Sequence, residues 1–268
     1  MRRLATPCLA VAVTAAVAAC GAHTRAPAAA DRAAGDAAGG DTAAATADGG
    51  QDVRLTTADG VTIAATYWPG PAGDRGCVVM VHQLSSTRAE WAPFVARLRG
   101  RAHLMTIDLR GHGQSTAGPD GALSWKDFTT DDWAAADQDV TAATAWLSDH
   151  GADGDRCVLV GASIGSSVVL RWAASHGHVP GVALLSPGLG YRGLDTTAAA
   201  KAYPGLALVV RSEERGAEDA ATFLERTWGD RVVMRVVPGT SHGVRTANDD
   251  PGVIDAVVDL VDRALQAR

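Results

Sequence analysis

Hydrophobic residues along the chain follow two rhythms. Continuous apolar runs at 77–81 and 157–160 are short and lack polar alternation, the pattern of strands buried on both faces, and 103–109, 181–185, 206–210 and 231–237 read as further strands. Between them, apolar residues return at helical spacing in 90–99, 131–148, the stretch after Ser163, 217–228 and 251–266, the last with a proline in its first turn. Ahead of all these, two alternating runs at 52–57 and 61–68 flank Asp59-Gly60, a hairpin signal. Alternation of strand and helix after an opening hairpin predicts a mostly parallel sheet with helices on both faces.

The first fifty residues follow neither rhythm. Arg2 and Arg3 precede an apolar stretch, 9–19, that is short for a membrane span and ends in small residues, so 1–19 reads as a signal peptide. Val17-Ala18-Ala19-Cys20 resembles the bacterial lipoprotein cleavage box. The resemblance implies that Cys20 carries lipid and becomes the mature N-terminus, placing the protein at the cell envelope, on the periplasmic or extracytoplasmic face, with a membrane anchor. From Gly21 to Gln51 there is no Leu, Ile, Val, Phe, Tyr or Trp, so 20–51 is expected to be a disordered tether of about 30 Å, with 52–268 as the folded domain.

Composition narrows the function. At 47% hydrophobic and 20% charged residues, the chain can bury one large core. A net charge of −6 without a dense Lys/Arg block excludes nucleic acid as a partner, and three Phe and three Tyr leave little for stacking bases. Cys8 falls in the signal peptide and Cys20 in the cleavage box, which leaves Cys77 and Cys157 at the starts of predicted strands. No metal-ligand spacing is visible.

Chemistry concentrates at Gly161-Ala162-Ser163-Ile164-Gly165, between a strand and a helix. Small flanking residues let the backbone turn sharply enough to lift the Ser163 hydroxyl above the sheet, next to the free N–H groups of a helix start. Negative charge is stabilised in such a place.

Four segments together resemble the α/β-hydrolase superfamily over nearly all of 52–268. They are His82-Gln83-Leu84-Ser85-Ser86, Asp108-Leu109-Arg110-Gly111-His112-Gly113-Gln114-Ser115, the Ser163 elbow, and Gly239-Thr240-Ser241-His242-Gly243. The resemblance implies an α/β-hydrolase fold with an eight-stranded sheet in the order 1-2-4-3-5-6-7-8. It implies Ser163 as nucleophile, His242 as base, the backbone N–H groups of Leu84 and Ile164 as oxyanion donors, and no cofactor. His82 and His112 match positions that shape loops. Gln83 stands where the family usually has glycine, and Arg215 where it commonly has its acid. Glu214, one residue earlier, is the first candidate for the acid, with Glu213 and Asp195 as alternatives. The implied order makes the strands of Cys77 and Cys157 neighbours. An exported protein can keep a disulfide there, and two buried thiols are the alternative, because directly paired strands seldom offer the geometry.

About twenty residues separate the sixth and seventh strands, too few for a large cap domain. The site is therefore expected to be open, covered at most by 118–130. The expected activity is hydrolysis of small acyl esters through an acyl-enzyme. Amidase, peptidase or thioesterase action would use the same groups, and a non-catalytic envelope binding protein would keep the fold alone.

Overall fold

The computed structural model describes residues 44–46 and 48–266; the expected signal peptide, Cys20 and most of the tether lie outside them. Its main strands are β1 Gln51–Thr56, β2 Thr62–Trp68, β3 Cys77–Val81, β4 His103–Ile107, β5 Cys157–Ala162, β6 Gly181–Leu185, β7 Leu206–Arg211 and β8 Val232–Val236. Hydrogen bonds order them 1-2-4-3-5-6-7-8, as the resemblance implies. The β1–β2 and β2–β4 pairs are antiparallel, and every pair from β4 to β8 is parallel.

Pairing begins upstream of the expected boundary at residue 52. Ala44–Ala45 runs antiparallel to Gln51 and Asp52, and a turn closed by Thr46 N–H to Gly50 O at 2.7 Å joins them. A side chain at Gly50 would collide with Trp68 and Thr66, so glycine lets this turn lie flat on the sheet.

The central strands are apolar throughout because both faces are covered. Successive residues divide between two cores. Cys77, Val79, Val81, Leu159 and Val209 face one way, toward α3 Asp137–Asp149, α4 Ile164–His176 and the helix Ala217–Trp228. Val78, Met80, Val158, Val160 and Leu208 face the other way, toward α1 Ala92–Leu98 and the helix Gly252–Gln266. The helix expected over 131–148 divides into α2 Thr130–Ala134 and α3. The break lets Trp133 pack in the core while Asp139 reaches Arg110.

Cys77 and Cys157 stand opposite each other in the β3–β5 register and form a disulfide. This resolves the two alternatives in favour of the bridge. Peptides containing the two residues should remain linked when the chain is digested without reductant. Replacing both cysteines by alanine should lower unfolding stability by about 2–4 kcal/mol in a denaturant titration.

Candidate active site

Ser163 occupies the turn between β5 and α4 with φ 51° and ψ −115°, a left-handed backbone for a residue other than glycine. Its two glycine neighbours explain how the turn fits. A side chain at Gly161 would run into the backbone of Gly165, and one at Gly165 into the carbonyl of Val81 on β3. The strained turn is fixed from below: Ser163 N–H donates to Leu185 O at 2.8 Å, and Ser166 Oγ donates to Gly161 O at 2.7 Å.

Residues Gln83, Leu84, Ser163, Ser186, Tyr191, Glu214, Arg215 and His242 line one cavity of about 450 Å³ with their neighbours. They come from the C-terminal ends of β3, β5, β6, β7 and β8, where an open parallel sheet gathers its loops. His242 Nδ1 lies 2.7 and 2.8 Å from the two carboxylate oxygens of Glu214. The donated Nδ1–H turns Nε2 into the acceptor. Ser163 Oγ and His242 share the cavity without a direct hydrogen bond among the described residues, a separation common in free enzymes.

The alternative acids are occupied elsewhere. Glu213 accepts from Gly239 N–H at 3.2 Å, bracing the loop that carries His242. Asp195 accepts from the N–H and hydroxyl of Thr197, at 2.8 and 2.7 Å, and lies exposed.

Leu84 N–H and Ile164 N–H have no protein acceptor among the described residues. The neighbouring Gln83 N–H is taken by Glu90 Oε1 at 3.1 Å, so the turn offers the next amide to the cavity. The Gln83 side chain does what a glycine there could not. Its Oε1 accepts from Val244 N–H at 3.1 Å and packs against Gly243, tying the His242 loop to the Leu84 loop. Ser186, in a left-handed backbone at φ 53°, adds a second tie by accepting from Gly243 N–H at 2.9 Å. Neither tie follows from the motif, although a polar residue in place of a loop glycine marks Gln83.

His82 and His112 are structural. Buried His82 donates Nδ1–H to Gln83 O at 2.7 Å and accepts from Leu109 N–H at 3.0 Å, joining the loops after β3 and β4. Burial, helped by nearby His112, pushes its pKa down to about 4. The segment 118–130, the most that was expected to cover the open site, does not line the cavity. Instead, Trp125 stacks on His112 and Phe128 packs edge-on against Trp133.

The sequence profile described as alpha/beta hydrolase fold matches residues 76–240. No curated protein matches the chain. Solved structures with the same fold include an esterase of Pyrococcus furiosus, Pf2001, at 19% identity and TM-score 0.64, covering 80% of this chain and 92% of that one. Acetyl xylan esterase 1 of Thermoanaerobacterium sp. JW/SL YS485 aligns at 18% identity and TM-score 0.64, over 80% of this chain and 83% of its own. The enol-lactonase of Burkholderia xenovorans LB400 aligns at 15% identity and TM-score 0.62, over 78% and 99%.

The depressed pKa of His82 sets a direction for acid sensitivity. In the folded chain this ring stays neutral down to about pH 4, whereas in the unfolded chain it takes a proton near its ordinary value of 6.5. The unfolded state therefore binds more protons in that window, and stability falls as pH drops through it. Urea midpoints measured from about pH 7 to about pH 4.5 should decline, and less steeply in His82→Gln.

Proposed function

The chain belongs to the α/β-hydrolase family, and from that premise we propose that it is a serine hydrolase that cleaves carboxylic esters through an acyl-enzyme. The carrying observation is the Glu214 carboxylate seated on His242 Nδ1 beside the cavity that holds Ser163. Ser163 Oγ attacks the acyl carbonyl and its proton passes to His242 Nε2. Glu214 holds the imidazole in the required tautomer and stabilises the imidazolium. The oxyanion rests on the amides of Leu84 and Ile164, near the positive end of α4. On collapse the alcohol leaves with the proton from His242. Water, deprotonated by the same nitrogen, then attacks the acyl-serine, and His242 returns that proton to Ser163 Oγ as the acid is released. These steps draw only on side chains, backbone amides and water.

Arg215 at the usual acid position does not leave the base without a partner. Glu214 has one more methylene than aspartate, and this length compensates for leaving the strand one residue earlier. That pairing favours an enzyme over a binding protein that merely keeps the fold.

The same reading places the enzyme outside the cytoplasm. The Arg2-Arg3 leader and the Val17-Ala18-Ala19-Cys20 box support export and lipid anchoring through Cys20. The Cys77–Cys157 disulfide supports it independently, since such bonds persist where the surroundings are oxidising.

Turnover of p-nitrophenyl acetate tests the roles. Ser163→Ala should lose roughly 10⁴-fold or more in kcat. Glu214→Gln should lose about 10²–10⁴-fold, while Glu213→Gln and Asp195→Asn stay within about threefold of the parent. Equal losses in the Glu213 and Glu214 variants would remove Glu214 from its role.

A further inference from the structure

The cavity contains a positive charge that the reaction does not use. Glu214, the acid beside Arg215, is engaged through both oxygens by His242. Glu213 is turned to Gly239 N–H. No carboxylate pairs with Arg215 among the described residues, although the chain has more acids than bases overall, 30 against 24. Arg215 is solvent-exposed and lines the same cavity as Ser163. Apart from Glu214 and His242, which are hydrogen-bonded to each other, the rest of the lining is uncharged and includes Leu84, Pro187, Tyr191 and Ala217.

A guanidinium has five donors in a planar fork that matches a carboxylate. With the Glu214 carboxylate turned to His242 through both oxygens, this free fork rewards a substrate that brings its own negative charge. The acyl carbon must lie at Ser163, so the charge belongs on a part of the substrate that extends toward the loop after β7. We infer that Arg215 selects esters bearing a free carboxylate, such as the half-esters of short dicarboxylic acids, over neutral esters of equal length. This inference rests on the esterase reading of the same cavity and specifies its substrate class. The hydrolytic step is unchanged: the acyl–oxygen bond breaks, water supplies the new oxygen, and Arg215 exchanges no proton.

The test compares methyl hydrogen glutarate with the neutral ester methyl pentanoate, following acid release by titration. The parent should favour the charged ester in kcat/KM by roughly tenfold, the scale of one charge-assisted contact at a partly exposed site. Arg215→Gln should abolish that preference, Arg215→Lys should keep part of it, and Arg215→Glu should reverse it. Added salt should erode the preference in the parent and leave it flat in Arg215→Gln. Hydrolysis of both esters with no preference, or a preference that survives Arg215→Gln, would overturn the inference while leaving the esterase reading intact. Failure of the parent on both esters, and on p-nitrophenyl acetate, would instead overturn that reading, and this inference with it.

Discussion

At Gly161 and Gly165 the backbones of β3, β5 and α4 approach so closely that no side chain fits between them. Everything in the site depends on this contact. It lets α4 start directly above the sheet, forces Ser163 into its left-handed backbone, and brings the helix's free N–H groups beside the serine hydroxyl. Such strain persists only where the surroundings over-determine it. Here they do so through the bonds of Ser163 N–H to Leu185 O and Ser166 Oγ to Gly161 O, and through a core packed on both faces of β5.

The second half of the site is assembled over long sequence distances. His242 belongs to a loop that has no regular partner of its own, and three side chains from other strand ends locate it: Glu214 on its ring, Ser186 on Gly243 N–H, and Gln83 on Val244 N–H. Gln83 also precedes Leu84, so the proposed base and one proposed oxyanion amide are held in one hydrogen-bonded unit. Beneath them, the loop after β4 is fixed by charge. Asp108 accepts from both the backbone and guanidinium of Arg88, and Arg110 spans Asp139 and Asp59. Asp108, Arg110 and Asp139 are buried, so removing one partner would strand a charge inside the protein.

Where local pattern determines structure, the sequence could be read directly. The unbroken apolar runs of Cys77–Val81 and Gly181–Leu185 have no solvent-facing alternative, and the strand order followed from the family resemblance. Position alone put Glu214 ahead of Glu213 and Asp195, but what each carboxylate touches depends on the direction its side chain takes from a loop. The three separate fully only when Gly239, His242 and Thr197 are in place around them. The segment 118–130 was the most that could cover the open site, and its Trp125 and Phe128 pack instead on His112 and Trp133. Gln83 was noticed as a departure, but its bond to Val244 joins positions 161 residues apart.

The account stands on an activated Ser163, and a fluorophosphonate reports that activation whatever the natural substrate. The decisive measurement is the intact mass of the folded domain after reaction with this probe, alongside Ser163→Ala. The account predicts a single adduct on the parent and none on the variant. An unmodified parent in a cooperatively folded preparation, or an adduct that persists in Ser163→Ala, would contradict it.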